Sequence, residues 1–177
     1  MDDMLEMLDF KGDILIIDDE PNNLDVLSTS LECYGYQVRQ AVSAEIALKT
    51  IKLKLPELIL LDVIMPKVDG YELCQQLKSN PETKDIPVIF LSALSQEHDK
   101  GKGFEVGAVD FISKPFHLEE ILARINHQLT IRQLEIKLRE TNQELEKQKY
   151  RLQTEIYLRE KIEEELKDSK ALLESRG

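Results

Sequence analysis

The chain is poor in the residues that interrupt helices. Of its 177 residues six are proline and seven glycine, and neither type occurs anywhere in residues 116–176. That absence excludes turns from the C-terminal third and predicts one long helix behind a segment that holds all six prolines and six of the glycines. The two cysteines, Cys33 and Cys74, are too few for a disulfide framework and fit no metal spacing, so they read as reduced residues of a core or helix face. No apolar run approaches the roughly 20 residues of a membrane span. The acidic residues 1–9 lack the basic start of a secretion signal. A cytoplasmic chain without membrane contact is therefore expected. Positive charge is scarce as well: residues 1–117 carry 21 acidic and 11 basic side chains, against 13 and 12 in residues 118–177. A surface of that sign repels phosphate backbones, so no direct nucleic-acid binding is expected of the first part.

What is present is a set of short, unbroken apolar runs that end in polar groups. Leu58-Ile59-Leu60-Leu61 does not alternate, which suits a strand buried on both faces, and Asp62 stands at its carboxyl end. Asp13-Ile14-Leu15-Ile16-Ile17 is a second such run and stops at Asp18-Asp19-Glu20-Pro21. Further strands are expected over residues 36–42, over residues 86–91 leading into Ser92, and over residues 109–113 leading into Lys114. Between them lie helical patterns: Leu24, Leu27 and Leu31; Ile46, Ala47 and Ile51; Tyr71, Leu73 and Leu77; and a polar helix over residues 96–106 containing Gly101 and Gly103, expected to pack least rigidly. Five strands alternating with helices give an α/β fold, a five-stranded parallel sheet doubly wound by helices. Residues 1–11 read as a leader without chemistry, residues 12–129 as the globular domain and residues 130–177 as a helical extension.

In such a sheet Asp18, Asp19, Asp62, Ser92 and Lys114 collect on one edge, where ligands of open α/β sheets bind. Taken singly, Asp62 suits a turn, Ser92 a helix cap and Lys114 a solvated loop. Jointly they suit chemistry. Three close carboxylates repel unless a hard divalent cation sits among them, and Mg²⁺ fits an oxygen site with few protein ligands. A carboxylate can also act as nucleophile and form an acyl phosphate. In-line transfer to Asp62 would need a cation and a hydroxyl to hold the phosphoryl oxygens, the roles open to Lys114 and Ser92.

At these positions the sequence resembles the receiver domains of two-component response regulators, which share the flavodoxin-like fold. The matching motifs are Ile14-Leu15-Ile16-Ile17-Asp18-Asp19-Glu20-Pro21; Leu60-Leu61-Asp62-Val63-Ile64-Met65-Pro66 with Asp69-Gly70; Leu91-Ser92-Ala93; and Phe111-Ile112-Ser113-Lys114-Pro115-Phe116. The resemblance implies Asp62 as phosphoacceptor from a histidine kinase or phosphotransfer protein. It implies Mg²⁺ on Asp18, Asp19, Asp62 and the backbone carbonyl of Ile64, with one acid of the pair acting through water. Ser92 and Lys114 are then the phosphoryl-binding side chains, and the Lys114-Pro115 peptide is cis. Phe111 matches the family's switch aromatic, which turns inward as Ser92 moves toward the phosphoryl group; phenylalanine replaces the commoner tyrosine, so a hydroxyl is lost while the packing change remains. An aspartyl-phosphate hydrolase of the haloacid-dehalogenase type would need a second aspartate where Ile64 stands.

Along the tail, Ile131, Leu138, Leu145, Leu152, Arg159, Leu166 and Leu173 recur every seven residues, and only Arg159 is polar. The companion row Leu134, Thr141, Gln148, Glu155, Ile162 and Ser169 is mostly polar. A strict heptad predicts a parallel coiled-coil homodimer, with the polar row making it weak or adjustable. The expectation is thus a response regulator, not an enzyme beyond its own phosphorylation and aspartyl-phosphate hydrolysis. It passes a switch at Asp62 through the coil to a partner or to an output domain beyond residue 177. The alternative is a constitutively dimeric scaffold in which phosphorylation is vestigial.

Overall fold

A computed structural model describes residues 10–93 and 97–177. Most of the expected leader and Gln96 lie outside the described residues. The elements alternate as expected: β1 (Asp13–Ile17), α1 (Pro21–Cys33), β2 (Gln37–Ala41), α2 (Ala44–Leu53), β3 (Leu58–Asp62), α3 (Gly70–Ser79), β4 (Val88–Ser92), α4 (Glu97–Glu105), β5 (Asp110–Ser113) and α5 (Leu118–Glu174). All five strands are parallel, in the order β2-β1-β3-β4-β5.

The unbroken apolar runs are explained by burial on both faces. Every residue of β1, β3 and β4 is buried. Successive side chains point to opposite sides of a strand. Leu15, Ile17, Ile59, Leu61 and Phe90 accordingly meet Ala47 and Ile51 of α2 and Leu73, Cys74 and Leu77 of α3 on one face. Ile14, Ile16, Leu58, Leu60, Ile89 and Leu91 meet Leu24, Leu27 and Leu31 of α1 and Ile121, Ile125 and Leu129 of α5 on the other. At about 1.5–3 kcal/mol per fully buried aliphatic side chain, these two layers dominate the stability of the sheet. Edge strand β2 is half-buried, and there the pattern is mixed.

Local signals set the helix starts. Pro21 occupies the first turn of α1, where its missing N–H costs nothing. The Ile46 amide donates to Ser43 Oγ at 3.3 Å ahead of α2, and the Glu72 amide to Asp69 Oδ1 at 2.8 Å ahead of α3. Ser43 is therefore the cap of α2, whose first helical residue is Ala44. The chain leaves α1 through Gly35 at φ +90°, a conformation that costs a side-chain-bearing residue.

The chain divides into two compact units, Met1–Arg132 and Gln133–Gly177. In the first, α5 contributes Ile121, Ile125 and Leu129 to the core. The second is helix through Glu174 with its side chains exposed along the whole length. Among the described residues no helix is long and apolar enough to cross a membrane.

Candidate functional site

Strand order assembles the site. Because β1, β3, β4 and β5 lie side by side in parallel, residues that end them share one edge: Asp18 follows β1, Asp62 closes β3, Ser92 closes β4 and Lys114 follows β5. The register places Asp62 beside Leu91 and Ser92 beside Ser113.

Lys114 is the hub of this edge. Its Nζ lies 3.2 Å from Asp18 Oδ2 and 3.2 Å from Asp62 Oδ2, joining groups 96 and 52 residues apart. Asp18 is fully buried, and Asp62 and Ser92 nearly so. The Lys114-Pro115 peptide is cis. Asp18 is further held by the Glu20 amide, 2.9 Å from Oδ1, and by Asn23 Nδ2, 3.1 Å from Oδ2. The Ile64 amide lies 3.4 Å from Asp62 Oδ1, and the Ile64 side chain is exposed.

Burial pushes the Asp62 carboxyl above its ordinary range; Lys114 opposes the shift and Asp18 adds to it. Burial also disfavours the Lys114 ammonium, but the two carboxylates outweigh it and raise that group. The asymmetry is physical: Lys114 faces two acids, whereas Asp62 faces one cation and one further acid. The edge is thus short of positive charge. Carboxylate oxygens of Asp18, Asp19 and Asp62 lie within 4.8 Å of one another, and Asp19 is exposed. An all-oxygen set that is partly open and under-neutralised is the donor chemistry a hard divalent cation takes.

Phe111, on β5, is buried in a train of rings. Its centroid lies 5.4 Å from Phe90 and 5.1 Å from Phe104, and Phe90 in turn lies 5.2 Å from Tyr71. Lys102 Nζ sits 4.5 Å above the Tyr71 ring.

Several contributors escaped the sequence reading. Asn23 reaches back from the first turn of α1, and its five-residue spacing from Asp18 was the available signal. Gly70 has no room for a Cβ: one would run into the carbonyl oxygen of Asp62 and come 2.8 Å from Val63 Cα. Its amide donates to Val63 O at 2.8 Å, which closes the loop leaving β3. A Cβ on Gly103 would enter the Phe111 ring. Glycine beside a charged loop carries no such information in one dimension.

The family model for the response regulator receiver domain matches residues 14–126. Over 113 residues, 63% of this chain and 46% of the relative, the sequence is 50% identical to the DNA-binding dual master transcriptional regulator RpaA of Synechocystis sp.. Over 116 residues, 66% of this chain and 26% of the relative, it is 41% identical to a protein of Vibrio cholerae named as a probable cyclic di-GMP phosphodiesterase. The chain thus spans less than half the length of either relative. Among solved structures, the signal receiver domain of a signal transduction histidine kinase from Syntrophus aciditrophicus superposes with a TM-score of 0.63 at 39% identity, covering 67% of this chain and 90% of that one. The expected absence of nucleic-acid contact finds no support in a relative named for DNA binding.

Proposed function

We propose, because this chain belongs to the response regulator receiver domain family, that Asp62 accepts a phosphoryl group from the phosphohistidine of a histidine kinase or phosphotransfer protein. The observation that carries the reading is the shared lysine: one cation, Lys114, placed 3.2 Å from both the nucleophile and a second buried acid. An Asp62 carboxylate oxygen attacks phosphorus in line. The new O–P bond forms as the P–N bond to imidazole breaks, and the imidazole nitrogen takes up a proton. Lys114 then exchanges a contact with carboxylate for one with a phosphoryl oxygen, and the Ser92 hydroxyl donates to another. Asp18, Asp19, Asp62 and the Ile64 carbonyl would hold Mg²⁺, which when bound neutralises charge spreading over the phosphoryl oxygens. The reaction modifies the chain itself and turns over no separate substrate.

Downstream, Ser92 is drawn toward the phosphoryl group and Phe111 occupies the space behind it, so that α4 and β5 present the altered surface. Residues 12–129 act as the receiver. Residues 130–177 act as a parallel homodimeric coil that transmits the change to a partner or output domain. The polarity of the tail's companion row supports a coil that adjusts.

The test is intact mass after incubation with Mg²⁺ and acetyl phosphate, on the wild type and on Asp62→Asn. A phosphoryl adduct on the wild type alone is expected. An adduct on both chains would remove Asp62 from its role. Adducts on neither, with a dimer in each sample, would favour the constitutive scaffold.

A further inference from the structure

In the second unit, Leu138, Leu145, Leu152, Leu166 and Leu173 are all exposed along one heptad row, with Ile162 exposed on the companion row. An apolar seam of this length needs a second helix to cover it. Between Leu152 and Ile162, however, two successive layers of the seam are charged, Glu155 on one row and Arg159 on the other. In the single chain they satisfy each other: Arg159 Nη2 lies 2.7 Å from Glu155 Oε1.

Pairing two copies changes that arrangement. In a parallel, in-register pair each layer brings like against like, Glu155 facing Glu155 and Arg159 facing Arg159, so neither layer is tolerable alone. The two layers are four residues apart, roughly 6 Å along the axis at 1.5 Å per residue, within reach of two long side chains. We propose that Glu155 and Arg159 are exchanged between copies, each Glu155 bonding the Arg159 of the other helix. The seam is thereby self-complementary, and its occupant is a second copy of this chain. The proposal rests on the homodimer reading above and adds the pair that sets its register.

Alternatives to this alignment are worse. A slip of one heptad puts Arg159 against Leu152 or Leu166 and Glu155 against Gln148 or Ile162, leaving charges unpaired in the seam. An antiparallel pair centred on residue 157 also neutralises the charges. It sets Leu145 against Ser169, Leu166 against Gln148 and Leu173 against Thr141, keeping only Leu152 with Ile162 as an apolar layer. The parallel pair keeps leucine on leucine at all five positions. The charged layers weaken the coil relative to leucine and in return specify its partner and register.

The experiment is sedimentation and light scattering on the full chain, with and without Mg²⁺ and acetyl phosphate. The samples are the wild type, Glu155→Arg, Arg159→Glu, the double variant, and an equimolar mixture of the two single variants. Each single variant places four like charges in the middle of the seam, so its dimer dissociation constant should rise roughly tenfold or more. The double variant and the mixture should recover wild-type assembly; recovery in the mixture excludes misfolding as the cause of the losses. In a Cys33→Ser background, Ile162→Cys should form a disulfide with its own copy, as only the parallel register brings the two together. Single variants that dimerise like the wild type, or a mixture that fails to recover, would overturn the exchange. Failure of the self-crosslink would overturn the parallel register. A wild type that stays monomeric under every condition would instead overturn the homodimer beneath it.

Discussion

Asp62 and Lys114 are both shifted upward, and the two shifts have opposite meanings. For Lys114 the folded state favours the charge, a contribution lost only as pH rises through its raised value. For Asp62 the folded state favours the proton. Its contribution is present below the ordinary carboxylate range and is lost as pH rises through the raised value. Above that raised value and without metal, the ionised Asp62 therefore costs stability. Asp62→Asn, which leaves Lys114 paired to Asp18, should melt higher than wild type at neutral pH in metal-free buffer. The advantage should shrink as pH falls into the ordinary carboxylate range. Thermal unfolding across pH measures this, and a gain that instead grew toward acid would contradict burial as the dominant cause. Gly103→Ala, which adds a methyl where the Phe111 ring lies, should cost about 1–3 kcal/mol by overpacking. In a Phe111→Leu background the cost should largely vanish, and equal costs in the two backgrounds, read by urea unfolding, would show that the ring is not what the methyl meets.

Strands follow from patterns local to the chain, which is why they were legible: the unbroken runs Ile14 to Ile17 and Leu58 to Leu61 suited strands covered on both sides. The N-cap role of Asp69 ahead of α3 emerged only with the structure. Strand ends moved by a residue or two because pairing, not hydrophobicity, ends a strand: β4 starts at Val88, after Pro87, which has no N–H to give the ladder. What stayed hidden was the reason for an acid at the start of β1. Asp13 is buried and held by Arg39 of β2, Nε to Oδ1 at 3.0 Å and Nη2 to Oδ2 at 3.1 Å, with Lys54 Nζ 3.0 Å from Oδ2. Arg39 also donates to Lys54 O at 2.8 Å, tying edge strand β2 to the end of α2. Asp13→Ala should destabilise the protein by about 2–4 kcal/mol, because it strands a half-buried guanidinium. Since Asp13 and Asp18 lie at opposite ends of β1, phosphoryl acceptance by the folded variant should be unchanged, and intact mass checks it.

For the whole molecule, the division at Arg132 is the feature with the largest consequence. The core of the first unit closes with Ile121, Ile125 and Leu129, so a chain ending at Arg132 retains every buried apolar residue and all five site positions. Such a truncation should stay folded and accept the phosphoryl group on Asp62, and it should sediment as a monomer, whereas the full chain is expected to pair. A truncated chain that still dimerised would move the interface from the tail to the first unit. The charge imbalance has the same division, since nearly all the excess of acids precedes residue 118.

The order of elements, the parallel sheet, the acids, hydroxyl and lysine that end its strands, and the helical tail are all legible along the chain. Each of these is a matter of periodicity, breakers or motif, information carried along the chain. The folded arrangement alone shows that Lys114 bridges Asp18 and Asp62, that Asp18 is fully buried while Asp19 is exposed, and that Asn23 donates to Asp18 and Glu20. It likewise decided that Gly70 and Gly103 are places where a methyl group has no room. These are relations between residues far apart in the chain, set by which strands are neighbours and by how closely helices approach the sheet. No local pattern encodes such distances.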